Sequence, residues 1–325
     1  MRAELLTMLR ETNEYVSGQK VCETFGVSRT AVWKAINQLR NSGYEIEAVS
    51  NKGYRLISVP DILNQNELLS RRKTKWIGEN TLCYETIDST NAQAKRLAEE
   101  GYGNGTLIVA NHQEAGRGRR GRSWESPADT TISMTLLLKP EINPNNASMI
   151  TLVSALAVSK AITQLTGEPA GIKWPNDIVM NGKKVCGILT EMSAQFDYVN
   201  HIVVGIGINV NTESFPEEIS DMATSIRLET GKFISRAELI EAVWEHFEEA
   251  YEIYLQTEDL RNLVKEYNAR LVNMHQRVKV LDPKEPFEGN AQGITPRGEL
   301  MVDTWESRKL VSSGEVSVRG IYGYI

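Results

Sequence analysis

The chain has 325 residues, 41% hydrophobic and 24% charged, with a formal net charge of -6 at pH 7. That balance excludes disordered, collagenous and low-complexity classes and predicts two or three globular domains. No apolar run reaches the roughly 18 residues of a membrane span, and the N-terminus, with Glu4 and Glu11, lacks a secretory signal, so no membrane partner and a cytoplasmic location are expected. Cys22, Cys83 and Cys186 lie far apart and read as isolated buried thiols. Charge is unevenly spread. Residues 213–270 carry 14 acidic and 6 basic side chains. Residues 27–55 carry Arg29, Lys34, Arg40, Lys52 and Arg55 against only Glu45 and Glu47, and residues 117–122 hold four arginines with no acid. Basic islands on an acidic chain predict phosphate contacts at defined places rather than bulk polyanion binding.

Residues 1–60 are expected to form a winged helix-turn-helix. Leu5, Leu6 and Leu9 give a short helical stripe. Ser17 can cap a second helix that turns Val21 and Phe25 inward and stops at Gly26. Ser28 can cap a third, with Val32, Ile36 and Leu39 inward and Arg29, Thr30, Lys34 and Asn37 outward. Tyr44–Ile57 alternates around the turn signal Asn51-Lys52-Gly53 and reads as a two-stranded wing. Such a helix fits the major groove, and a basic wing tip reaches phosphate. Ser28, Arg29, Thr30, Lys34, Asn37 and Lys52 are the candidate DNA contacts.

Val59-Pro60-Asp61 marks a linker, and a helix is expected over Gln65–Ser70. Residues 61–271 then mix strands (Thr106–Asn111, Thr131–Leu138, Val185–Met192, Ile202–Ile208) with helices (Asn91–Glu100, Ala147–Thr166, Arg236–Leu255), so the chain is α+β with a central mixed α/β domain. Residues 272–325 are short strands separated by turns at Asp282-Pro283, Thr295–Gly298 and Ser313-Gly314, which predicts a small β-barrel.

Four elements of the central domain could carry chemistry. Gly116-Arg117-Gly118-Arg119-Arg120-Gly121 matches G-x-G-x-x-G in letters, but a loop and then a strand are expected after it, not the helix a dinucleotide site needs. What remains is a glycine loop whose four guanidiniums suit phosphate or carboxylate, ordering when an anionic ligand binds. Lys173-Trp174-Pro175-Asn176-Asp177 packs a cation, an amide and a carboxylate into five positions, with Lys184 soon after. Gly205-Ile206-Gly207-Ile208-Asn209 puts two glycines in a strand, a sign of close approach. Asp88-Ser89-Thr90-Asn91 serves equally as a helix cap or a ligand site. His112 reads as structural support, and His201, His246 and His275 form no metal cluster.

These elements, with His112-Gln113 and Ser123-Trp124, stand in the order and spacing of the biotin–protein ligases. With its N-terminal winged helix, the chain resembles the bifunctional ligase–repressors of that family over nearly its whole length. The resemblance implies a class II synthetase-like catalytic domain over 61–271 and an SH3-like barrel over 272–325. It implies activation of biotin by ATP and Mg²⁺ to biotinyl-5′-AMP, then transfer to a lysine of biotin carboxyl carrier protein or another biotin-dependent carboxylase. The adenylate would also act as corepressor, bringing a homodimer onto operator DNA.

By position, Ser89, Thr90 and Gln113 would meet the ureido and ring end of biotin, beside Asn91, Gly205 and Gly207. Gly116, Arg117, Gly118 and Arg119 would form the loop that orders over the ligand, and Trp124 would wall the site. Lys184 and Arg119 would stabilise charge on the reacting phosphate, and Asn176 and Asn209 would lie near phosphate or Mg²⁺. Asp177 is the candidate to orient or deprotonate the acceptor lysine. Between 212 and 235 no aromatic residue is assigned to adenine, and Met222–Ile226 is the stretch expected there. Two rival readings are a lipoate or octanoate ligase of the same fold, and a biotin-sensing repressor that does not catalyse.

Overall fold

The computed structural model describes residues 1–12, 14–282, 285–313, 317–320 and 324–325. Two compact units are present, Met1–Lys73 and Thr74–Ile325.

The first unit holds α1 (Arg2–Arg10), α2 (Gly18–Phe25), α3 (Arg29–Asn41), the hairpin β1 (Glu45–Val49) and β2 (Gly53–Ser58), and α4 (Gln65–Arg71). Ser17 and Ser28 cap α2 and α3 by accepting from Lys20 N and Ala31 N. Leu5, Leu6, Leu9, Val21, Val32, Ile36 and Leu39 meet in one buried core. The unit runs past the expected limit at residue 60, because α4 is clasped onto α1. Glu67 is fully buried and accepts from Arg10 Nη2 at 2.9 Å, Arg71 Nε at 2.5 Å and the Tyr44 hydroxyl at 2.8 Å. Arg10 Nη1 also donates to Ser70 Oγ at 2.8 Å.

The second unit is built on a seven-stranded sheet in the order β3-β4-β5-β9-β8-β7-β6. Its strands are β3 (Thr81–Ile87), β4 (Thr106–Gln113), β5 (Thr131–Leu138), β6 (Gly171–Lys173), β7 (Asp177–Met180), β8 (Lys183–Ala194) and β9 (Val199–Asn209). Only β3 and β4 pair in parallel; the other neighbours are antiparallel. Helix α5 (Thr90–Glu99) lays Ala94 and Leu97 on Ile108, Leu137 and Val203 of the sheet. Side chains alternate along a strand. Val203, Gly205 and Gly207 therefore share the α5 face, and Ile202, Val204, Ile206 and Ile208 are buried on the other.

Helix α6 (Ile150–Thr166) packs against β6, β7, β8 and α9 (Arg236–Thr257). The stretch 144–166 is apolar enough to cross a membrane, contrary to the sequence expectation, yet it is mostly buried, as a core helix is. Short helices α7 (Glu217–Ser220), α8 (Ile226–Thr230) and α10 (Val264–Arg270) flank α9 in the chain. A five-stranded antiparallel sheet follows, in the order β13-β12-β11-β10-β14. It comprises β10 (Arg277–Leu281), β11 (Phe287–Ile294), β12 (Leu300–Asp303), β13 (Arg308–Val311) and β14 (Ser317–Gly320). Val278, Val280, Ala291, Leu300, Val302 and Val318 are buried within it. The Thr295–Gly298 turn is present, with Gly298 N donating to Thr295 O. Pro283 and Gly314 of the other two expected turns lie outside the described residues.

Candidate active site

A cavity opens on the α5 face of the large sheet, where β8 and β9 carry glycine. Gly187 of β8 pairs with Gly207 of β9, and Gly205 pairs with Thr135 of β5. These glycines are a steric requirement. A Cβ on Gly205 would come within 2.2 Å of Asn91 Oδ1, and one on Gly207 within 2.4 Å of the Trp124 ring. The bare strip thus admits Asn91 from one side and Trp124 from above. Buried within it, the indole Nε1 of Trp124 has no hydrogen-bond acceptor among the described residues.

Ser89 caps α5. Thr90 donates from its backbone nitrogen at 2.8 Å and its hydroxyl at 2.9 Å to Gln113 Oε1, at the end of β4. Thr135 Oγ1 lies 2.6 Å from Asn91 Oδ1, and Asn91 Nδ2 donates to Glu191 at 2.8 Å. Burial works against ionisation of Glu191, but donors from Lys95 and Asn91 outweigh it and hold its carboxyl below the usual range. Ser89, Thr90, Asn91 and Gln113 therefore form one wall of fixed polar groups, and the glycine strip and Ile188 form another.

The loop between β4 and β5 closes the cavity as a tight hairpin. Trp124 N donates to Gly116 O at 2.9 Å and Gly118 N to Arg122 O at 2.7 Å. His112 Nδ1 sits 2.9 Å from Ser126 O and ties down the returning strand of this loop. Arg117, Gly118 and Arg119 line the cavity, whereas Gly116 lies beneath Trp124. Arg119 reaches across to Asn176 Oδ1 at 2.8 Å and Ser313 O at 2.6 Å. Burial lowers the pKa of its guanidinium, with Asp177 opposing.

The Lys173–Asp177 element divides its labour. Trp174 is buried and donates from Nε1 to Gly298 O at 3.0 Å, so it anchors the turn instead of meeting ligand. Asn176 lines the cavity. Asp177 accepts from Asn176 Nδ2 at 3.2 Å and pairs with Lys184 Nζ at 2.7 Å through Oδ1, while Tyr324 donates to its Oδ2 at 2.5 Å. Lys173 is buried, and burial pulls its ammonium down to about 8. Burial, and then the Asp177 charge, push the Tyr324 phenol up.

A second cavity adjoins the first. Phe215, Pro216, Met222, Asn209, Arg319 and Tyr324 are among its lining residues, and it shares Trp124 and Lys184 with the first. Lys184 therefore stands at the junction. Its backbone is pinned by the 222–224 segment, since Lys184 N donates to Met222 O at 2.7 Å and Thr224 N to Lys184 O at 2.9 Å. Among the described residues, no three His, Cys, Asp or Glu side chains cluster as metal ligands.

Of the sequence-predicted ligand residues, all but Gly116, Asp177 and Asn209 line the first cavity, and Asn209 faces the second. Met222 and Ala223 of the expected 222–226 stretch line the second cavity, but Thr224, Ser225 and Ile226 are buried. Within the 212–235 region, where no aromatic was assigned to adenine, Phe215 lines that cavity. A single aromatic in a polar loop carries no periodic signal. Tyr324 was also missed.

In the first unit, Ser28, Arg29, Thr30, Lys34 and Lys52 are exposed and Asn37 is half-buried. Arg40 and Arg55 of the basic island instead bond Ile46 O and Glu47. Trp33 is 57% exposed, four residues after Arg29 and four before Asn37, at the middle of the outward face of α3. Polarity alone does not mark it as part of that face.

Residues 83–209 match the biotin/lipoate A/B protein ligase family, residues 2–55 a helix-turn-helix domain, and residues 276–319 the biotin protein ligase C-terminal domain. Along 323 residues, the chain is 40% identical to the bifunctional ligase/repressor BirA of Bacillus subtilis, covering 98% of each. Identity is 29% to the protein of the same name from Escherichia coli, over 97% of this chain and 96% of that one. Among solved structures, the biotin protein ligase from Aquifex aeolicus in complex with biotin and ATP superimposes with a TM-score of 0.66. That match has 32% identity and covers 74% of this chain and 99% of the other.

Proposed function

The chain belongs to the biotin–protein ligase family, in its bifunctional ligase/repressor form, and from that premise we propose how its residues share the work. The protein activates biotin with ATP and transfers it to a lysine of a carrier domain, and it represses transcription through its winged helix. The observation that carries the site assignment is the pair of cavities meeting at Lys184. The first, with Ser89, Thr90, Asn91 and Gln113 fixed around a slot above the glycine strip, takes the biotin ring. The second, with Phe215 and Met222, takes adenine. The biotin carboxylate and the α-phosphate then meet beside Lys184.

In the first step a carboxylate oxygen of biotin attacks the α-phosphorus and pyrophosphate leaves. Charge builds on the phosphate oxygens, and Lys184 and Arg119 stabilise it in this scheme. Mg²⁺ enters with ATP as part of the substrate. Asn209 offers an amide oxygen suited to a hard cation, whereas the amide oxygen of Asn176 is engaged by Arg119. In the second step the acceptor amine attacks the mixed anhydride and AMP leaves. A lysine amine has an ordinary pKa near 10.4 and must first lose a proton. Asp177, with both oxygens engaged by donors, orients Lys184 in this scheme instead of taking the proton of the acceptor amine, which passes to solvent. The closed loop shields the adenylate from water.

Arg119→Ala tests that last role. The variant should fold and still make adenylate, though more slowly, and should release or hydrolyse it about tenfold faster or more, since the loop loses its bonds to Asn176 and Ser313. An unchanged adenylate lifetime in a single-turnover assay would count against the loop as a cover.

The function is tested by transfer of labelled biotin, with Mg-ATP, to a biotin carboxyl carrier domain in the presence of excess lipoate or octanoate. Labelling of one carrier lysine that neither competitor suppresses is the expected result. Suppression would favour the lipoate ligase reading, to which the polar wall around Gln113 is unsuited. Tight biotin binding without transfer would favour the non-catalytic repressor. For the second function, biotinyl-5′-AMP acts as corepressor, and a homodimer presents two copies of α3 to a two-fold operator in the cytoplasm. Operator affinity should rise when biotin and ATP are added together and fall steeply with salt.

A further inference from the structure

Tyr324 has no part in the chemistry assigned so far, yet it touches the centre of the site. Its hydroxyl donates to Asp177 Oδ2 at 2.5 Å, and Lys173 Nζ lies 3.3 Å from its ring centroid. Asp177 offers its other oxygen to Lys184 at 2.7 Å. A carboxylate held at one oxygen still swings about its terminal torsion, which is broad and two-fold. A donor on the second oxygen fixes its plane. Lys184 is a point charge on a flexible four-carbon stem, so its aim depends on what holds the ammonium. The ring of Tyr324 is itself braced by a buried cation, an arrangement that strengthens when desolvated.

We propose that Tyr324 is a positioning residue for adenylate formation. Braced by Lys173, it locks the plane of Asp177, and Asp177 in turn holds Lys184 at the junction of the two cavities. This inference rests on the adenylating reading of the site.

The test compares Tyr324→Phe, Tyr324→Ala and Asp177→Asn in the full chain, measuring pyrophosphate release with biotin and Mg-ATP. Tyr324→Phe keeps the ring and removes only the hydroxyl. Its kcat should fall about tenfold or more, the scale of a small misplacement of a reacting group, with the biotin KM changed less than twofold. Introduced into Asp177→Asn, it should cause no further loss. Wild-type kcat in Tyr324→Phe overturns the proposal, as does a defect in Tyr324→Ala that phenylalanine rescues, because the ring would then serve packing alone. If Tyr324→Phe does not fold, Asp177→Asn decides: unchanged kcat there overturns the proposal. No pyrophosphate release from the unaltered chain would instead sink the adenylating reading, and this inference with it.

Discussion

Lys184→Ala is expected to lower kcat for adenylate formation by about a hundred- to a thousandfold, the usual cost of removing one preorganised group from a developing oxyanion. Lys184 sits where the two cavities join, ion-paired to Asp177 at 2.7 Å and 5.7 Å from the centroid of the Trp124 ring. Biotin should still bind, because the wall of Ser89, Thr90, Asn91 and Gln113 does not depend on the ammonium. Lys184→Arg should recover little, since a planar fork does not replace a point charge in this geometry. Transfer from preformed biotinyl-5′-AMP should suffer less than its synthesis. Pyrophosphate release and single-turnover transfer separate these steps. A variant with normal kcat and only a raised KM for ATP would mean that Lys184 binds ground state and transition state alike.

Glu67→Gln is expected to destabilise the first unit by about 3–5 kcal/mol, because it strips the charge partner from two largely buried guanidiniums. Arg10 and Arg71 have side chains 22% and 14% exposed, against 1% for Glu67. Amide exchange in α1 and α3 should quicken by about two to three orders of magnitude, with α4 fraying first. Apolar side chains of similar volume at all three positions should restore most of the loss, since such triads stabilise weakly relative to good packing. Unaltered exchange would show that the arginines find water without opening the core.

Much of this molecule is legible in local sequence. Ser17, Ser28 and Ser89 cap helices where their spacing to apolar residues predicts, and a loop leading to a strand follows the glycine–arginine run. Local rules fail where the partner is remote. Glu67 reads as a surface residue of a short helix until Arg10 and Tyr44 close on it. Trp174 sits inside the Lys173–Asp177 element, but its indole is spent on Gly298. Tyr324 and Asp177 are 147 positions apart, and no periodicity connects them. Phe215 lies in a stretch with no repeating pattern. The family resemblance supplied the adenylation chemistry; fixed spacing alone supplied only an arginine loop and a reactive turn.

The glycine strip has a consequence for how such a ligase can change its substrate. Its floor cannot be remodelled residue by residue, because any side chain at Gly205 or Gly207 collides with Asn91 or Trp124. Asn91 is in turn held by Thr135 and Glu191, so it cannot yield without breaking both bonds. Trp124, whose indole nitrogen has no acceptor among the described residues, has a side chain held by fewer bonds than Asn91. Trimming that lid residue, rather than the strands below it, is the open route by which selection or design could admit a bulkier ring system.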